Sequence, residues 1–243
     1  MGMQTMAAEN PFRDFVIYDH VESCPYLPGR QARMPLRMPM QQVNAQQCDQ
    51  RLALGERRSG RFVYRTRCPN CQACEPIRLP VKTFVMNRSQ RRVLKRCAGK
   101  ISIEYRDPVV DEQHVFLFNR HRNLRQLAHD GADIDTDGYQ SFLVDTCFDS
   151  FEMTYRIDGQ IIGAAICDQG NDSLSAVYCF YDPDFARYSP GVFSVLKQIE
   201  YCLTHQLSYL YLGFYIAESA HMSYKQNYRP HEKLIDGQWR RFA

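Results

Sequence analysis

Cys68, Cys71 and Cys74 fall within seven residues of the stretch RCPNCQACEPIR (67–78), each pair separated by two others. Thiols at this spacing can ligate a metal, exchange disulfides, or serve as small apolar residues in a tight turn. The run is tighter than the paired CxxC of a zinc ribbon and has the spacing of the first three ligands in a ferredoxin-type sequence, which needs a fourth. Glu75 and Pro76 follow directly, so the fourth must come from elsewhere, and Cys24 in the proline-bounded loop CPYLPGR is the candidate. An iron–sulfur cluster or zinc on Cys24, Cys68, Cys71 and Cys74, with a structural or sensory role, is one expectation. Ligand-free turn residues are the other.

A second group with chemical capacity ends the alternating run SLSAVYCFYD, where Tyr178, Tyr181 and Asp182 stand close together. In an extended strand Tyr178 and Phe180 face one way, Cys179 and Tyr181 the other. Tyr178 and Asp182 are the candidates for proton transfer, against packing for the tyrosine and a turn before Pro183 for the aspartate. Neither a Ser-His-Asp nor a Cys-His set declares itself. His121, in NRHR, is better suited to a phosphate or backbone contact than to activating a nucleophile.

The elements that must position these groups read as α/β, of the α+β kind. A strand over Phe12 to His20 and a Gln-rich helix, NAQQCDQRLALGERR, precede the short strand RFVYRTR, which delivers the chain to the cysteine loop; the strand EPIRLPV leaves it. The helix NRSQRRVLKRC and a strand over Ile101 to Tyr105 close the first part. The second part begins with the helix VDEQHVFLFNRHRNLRQL, whose Val115, Leu117, Phe118 and Leu124 predict one buried stripe, and the helix DGYQSFLVDTCF. A hairpin with the turn DG, a third strand, a helix beginning at Gly191 and the strand LSYLYLGFYI follow. This order is the plan of an acetyltransferase-like acyl-transfer fold, in which a splayed pair of central strands holds the acyl group.

Charge divides the chain at the same place. Residues 1–106 carry 19 Lys+Arg against 8 Asp+Glu, residues 107–243 carry 11 against 19, so the net +3 hides halves of +11 and −8. Two regions are therefore expected, a smaller basic α+β region over 1–106 that holds the cysteine loop and an acetyltransferase-like domain over 107–243. A basic field of this size attracts nucleic acid or an acidic substrate. The N-terminus does not read as a signal peptide, and no apolar run is long enough to span a bilayer, so a cytoplasmic placement without membrane contact is expected, with ten reduced cysteines.

Three blocks, CPYLPGRQAR, SGRFVYRTRCPNCQACEPIRLPVKTFVMNRSQRR and LSAVYCFYDPDFARYSPGVFSVLKQIEYCLTHQLSYLYLGFYI, resemble the bacterial aminoacyl-tRNA:protein transferases. These attach leucine to proteins beginning with Asp or Glu, marking them for degradation in the N-degron pathway, and are related to the eukaryotic arginyltransferases. The likeness runs in order along nearly the whole chain; Asn87 stands where the pattern has serine, and YSPG departs from a Ser-Leu-Gly run. It implies an enzyme whose donor is leucyl-tRNA and whose acceptor is a protein or peptide with an N-terminal Asp or Glu. The polyanionic donor suits the helix carrying Arg88, Arg91 and Arg92, with His121 and Tyr181 as further substrate contacts, and an acidic acceptor calls for an arginine fork, for which Arg78 is the candidate. Solvated surface charge is the plain reading for each arginine.

Transferring an acyl group from an activated ester to an amine, which breaks the ester and forms an amide, requires no covalent nucleophile and no cofactor. The resemblance also implies cysteines near Cys24 and Cys71 in the eukaryotic branch, where iron–sulfur binding is known. An arginyl-tRNA donor is the nearest alternative. A non-enzymatic, cluster-bearing nucleic-acid-binding regulator and an acetyl-CoA-dependent acetyltransferase each account for only one part of the chain.

Overall fold

The computed structural model describes residues 12–127 and 132–243. The first residues, on which the expectation of no signal peptide rests, lie outside that range. Strands are β1 (Asp14–Tyr18), β2 (Val21–Ser23), β3 (Gln31–Arg33), β4 (Leu36–Pro39), β5 (Arg57–Ser59), β6 (Phe62–Tyr64), β7 (Glu75–Pro80), β8 (Ser102–Arg106), β9 (Ser150–Ile157), β10 (Gln160–Gln169), β11 (Ser173–Tyr181), β12 (Tyr209–Tyr215), β13 (His231–Ile235) and β14 (Gln238–Phe242). Helices are α1 (Ala45–Ala53), α2 (Arg88–Cys97), α3 (Glu112–Leu124), α4 (Thr136–Tyr139), α5 (Pro190–Thr204) and α6 (Ala220–Ser223).

Eight strands form one mixed sheet in the order β14-β13-β7-β12-β11-β10-β9-β8. The α/β class and the acyl-transfer plan are those expected: β9, β10 and β11 form an antiparallel meander, and β12 joins β11 in parallel after the α5 crossover. The hairpin of β13 and β14, turned by Asp236-Gly237 with positive φ at both residues, extends the sheet beyond β7. Strands from both sides of residue 107 share this sheet, because β7 lies between β12 and β13 and β8 pairs with β9. The smaller sheet, β1-β4-β6-β5, is fastened to the large one by the buried pair of Arg58 Nε and Asp168 at 2.9 Å, and Ser150 Oγ donates to the same carboxylate at 2.6 Å.

One core lies between the sheet, α2 and α5, built on Ile77, Leu79, Met153, Ile162, Leu196 and Leu210. A second lies under α3, where Leu117 and Phe118 meet Tyr139, Leu143 and Phe180. Helix α3 buries His114, Leu117, Phe118 and His121, spaced as one helical face. Leu124, expected in that stripe, is 58% exposed because it is the last helical residue, beyond the buried face. Asn87 caps α2: its side chain accepts from the Gln90 backbone N–H while Gln90 reaches back to the Asn87 N–H, so replacing serine leaves the capping function intact.

Candidate active site

The parallel pairing of β11 and β12 covers three positions, Ser173 with Tyr209, Leu174 with Leu210 and Ser175 with Tyr211. Beyond them β11 continues to Tyr181 on β10 and β12 to Tyr215 on β7, so the ladder between the two central strands is open. Arg57, from the first position of β5, occupies that opening. Its Nη2 donates to the Val177 carbonyl at 3.4 Å, its guanidinium stands 5.4 Å over the Phe214 ring, and its Nη1 lies 1.4 Å from where a Cβ on Gly213 would be. Gly213 has φ +81° at the irregularity where β12 shifts register against β7, so a glycine there serves both the backbone and the guanidinium.

Lys225, in the turn after α6, reaches the same part of β12. It is 7% exposed, and its Nζ donates to the Phe214 carbonyl at 2.6 Å and stands 3.3 Å from Met222 Sδ. Burial, reinforced by the charge of Arg57, holds its pKa far below the usual lysine range. Among the described residues no carboxylate pairs with Arg57 or Lys225. Neither residue stood out in the sequence; only the isolated glycine of YLGFY, inside a strand pattern, signals the close approach at Gly213.

The candidates at the end of β11 separate onto two faces. Tyr178 packs its ring 5.3 Å from Phe118 and 5.7 Å from Phe142, and burial pushes its hydroxyl up to about 12. Tyr181 faces the other way; its hydroxyl accepts from Arg125 Nη1, and an ideal Cβ on Gly191, at the start of α5, would be 3.5 Å from its ring. Asp182 accepts from Arg120 Nε at 2.9 Å and from the Asp184 N–H at 3.0 Å, closing the turn after the strand. His121 is 4% exposed, with Nδ1 3.0 Å from the Tyr181 carbonyl, and burial lowers its pKa to about 4. It is therefore neutral near neutral pH and makes the backbone contact.

The remaining candidates stand elsewhere. Arg78 on β7 is enclosed: Nε donates to Glu232 at 2.8 Å, Nη1 to the Tyr211 hydroxyl at 2.9 Å, and the guanidinium stacks 3.8 Å from Tyr209 and 4.1 Å from Trp239. Arg88, Arg91 and Arg92 are exposed on the outer face of α2, where Arg91 donates to the Met86 carbonyl. The helix turns Gln90, Val93 and Cys97 inward, leaving its cations in solvent.

The four cysteines come to one corner. Cys24, Cys71 and Cys74 pack around Leu27, Phe214 and Ile216, and burial, with the neighbouring Cys68, Cys24 and Cys71, pushes Cys74 up to about 12. A backbone N–H at Ala73 and the Arg30 guanidinium, whose Nη1 is 3.5 Å from Cys71 Sγ, hold Cys71 below the usual thiol range. The Arg33 backbone N–H meets Cys68 Sγ at 3.5 Å. Among the described residues no group of three or more His, Cys, Asp or Glu is arranged to hold a metal ion.

A family model described as "Arginine-tRNA-protein transferase, N terminus" matches residues 22–92, and its "C terminus" counterpart matches residues 113–235. The chain belongs to this family. It is an aminoacyl-tRNA–protein transferase, an enzyme that forms a peptide bond. It is 40% identical over 216 residues to the aspartate/glutamate leucyltransferase of Chromobacterium violaceum, covering 89% of each chain. The protein of the same name from Thiobacillus denitrificans is 39% identical over 235 residues, 95% of this chain and 96% of the relative. That from Acinetobacter baumannii is 40% identical over 218 residues, 90% of this chain and 80% of the relative. Among solved structures, a crystal structure of FemX overlays with a TM-score of 0.46 at 11% identity, covering 79% of this chain and 65% of that one. No helix among the described residues of the transferase is long and apolar enough to cross a membrane.

Proposed function

We propose that this transferase moves leucine from leucyl-tRNA to the α-amine of proteins that begin with Asp or Glu, acting in the cytoplasm and marking those proteins for degradation. The observation that carries the reading is the full-length similarity to relatives named aspartate/glutamate leucyltransferase, 39 to 40% identical over 89 to 95% of this chain. The exposed cations of α2 support a polyanionic donor.

The chemistry is aminolysis of an ester that arrives activated. Correct placement of amine and ester can contribute on the order of 7 to 11 kcal/mol of the barrier reduction, and an α-amine with a pKa near about 8 is partly deprotonated at neutral pH. The remaining needs are a donor for the tetrahedral oxyanion and a proton for the departing ribose oxygen. In this reading Tyr181, with its hydroxyl polarised by Arg125, is the donor at the end of β11. Tyr178, through its ring contacts, and Asp182, through Arg120 and the following turn, position that end of the strand. No step requires a metal.

The test is transfer from separately charged tRNAs to short peptides that differ only at the first residue. Leucyl-tRNA should serve with Asp and Glu peptides, and Asn and Gln peptides should react far less. Transfer from arginyl-tRNA but not leucyl-tRNA would replace the donor assignment, and equal use of Asp and Asn peptides would remove the acceptor assignment.

A further inference from the structure

The buried arginines Arg51 and Arg58 and the half-buried Arg78 have carboxylate partners. Arg51 pairs with Asp14 at 2.6 Å and Glu56 at 2.8 Å, Arg58 with Asp168 at 2.9 Å, and Arg78 with Glu232 at 2.8 Å. Arg57 and Lys225 differ. They come from distant segments, meet successive residues of one strand, Gly213 and Phe214, and among the described residues find carbonyl oxygens, a thioether and an aromatic face there rather than a carboxylate. Burial without a counter-charge disfavours the charged form of Lys225, and the half-buried Arg57 beside it adds to that effect. An anion entering here would restore the charge on Lys225 and pair with both groups.

We propose that Arg57 and Lys225, in the opening between β11 and β12, form the binding site for the carboxylate side chain of the acceptor's first residue. The inference rests on the functional reading above and names the residues that would make it specific. A carboxylate suits the site better than a nucleic-acid phosphate. Lys225 is 7% exposed, and a side chain one residue long can approach so enclosed an amine where a polynucleotide backbone cannot. Arg57 supplies a planar fork and Lys225 an amine whose charged form an adjacent carboxylate stabilises, a combination that accepts the carboxylate of Asp or Glu while rejecting a neutral amide. An Asn or Gln side chain brings no charge to pair with Arg57 or to stabilise a protonated Lys225.

The experiment compares kcat/KM for Asp and Asn peptides with leucyl-tRNA in the unmodified transferase, Arg57→Gln and Lys225→Met, alongside leucyl-tRNA affinity. Each substitution should lower kcat/KM for the Asp peptide by about a hundredfold or more. The Asn peptide and leucyl-tRNA affinity should change little, so the Asp-to-Asn ratio collapses. An unchanged ratio in two folded variants overturns the inference while leaving the functional reading intact. Weakened leucyl-tRNA binding with equal losses for both peptides overturns it in favour of a site for the tRNA end. Absence of discrimination in the unmodified protein overturns both. If the variants do not fold, carbodiimide activation of a C-terminally amidated Asp peptide on the unmodified protein decides. The activated side-chain carboxyl should form an amide with Lys225 Nζ as the urea departs, read by mass spectrometry; coupling only at other lysines overturns the inference.

Discussion

Arg57 stands where a side chain on Gly213 would stand: its Nη1 is 1.4 Å from the position of a Cβ on that glycine. Gly213→Ala therefore has to expel the guanidinium and also strain a backbone at φ +81°. The expected outcome is a loss of about 1 to 3 kcal/mol of stability, measured by urea unfolding, together with a fall in transfer to Asp peptides comparable to that of Arg57→Gln. Normal transfer by a folded Gly213→Ala protein would separate Arg57 from the site.

Arg78, expected from its place after the cysteine loop to read the acceptor, has a test of its own. Arg78→Met leaves Glu232 without its partner in a half-closed setting and empties the slot between Tyr209 and Trp239. A stability loss of about 2 to 4 kcal/mol is expected, with the Asp-to-Asn ratio retained. A collapsed ratio in a stable Arg78→Met protein would return the reading role to Arg78.

The cations of α2 predict a salt-dependent donor affinity. Replacing Arg91 and Arg92 together with glutamine should weaken leucyl-tRNA binding and reduce the slope of log affinity against log salt by about 1.5 to 2, if each meets one phosphate. The measurement is a titration at several salt concentrations, and an unchanged slope would locate the tRNA away from this helix.

His114 gives a pH dependence of stability. Burial alone would lower its pKa, but hydrogen bonds and charge from Glu152 at 3.1 Å and Asp111 at 2.8 Å outweigh it, and the net direction is upward. A raised folded pKa means that the folded state holds the proton more tightly. This stabilisation is complete below the unfolded value near about 6.5 and is lost as pH rises through the folded value. His114→Gln should therefore be less stable than the unmodified protein by about 2 to 4 kcal/mol at about pH 6, with the difference narrowing at alkaline pH. A difference constant with pH in denaturant titrations would show that the loss is one of packing.

At the cysteine corner the thiols should differ in reactivity. Cys71, lowered by the Ala73 N–H and Arg30, should be alkylated by iodoacetamide well before Cys74, which burial raises. Mass spectrometry of briefly labelled, anaerobically purified protein checks this. Near-stoichiometric iron or zinc in that protein, with Cys71 protected until a chelator is added, would instead establish the metal site that the CxxCxxC spacing suggests.

Much of the frame was legible in the chain because it is locally encoded. The alternation of SLSAVYCFYD gives β11, the apolar face of PGVFSVLKQIEYCLT gives α5, and the polar start NRSQ gives a capped α2. The three blocks that carry the family likeness are also contiguous runs, so the reaction class could be expected before any contact was seen. Tertiary structure alone decided which cations have partners. Arg78 looked free and is enclosed by Glu232, Tyr209, Tyr211 and Trp239; Arg57 sits in an unremarkable RRS and meets Gly213 and Val177; Lys225 follows a short helix and meets Phe214. Sequence periodicity reports which side of its own element a residue faces, whereas ion pairing depends on which distant element folds against that side.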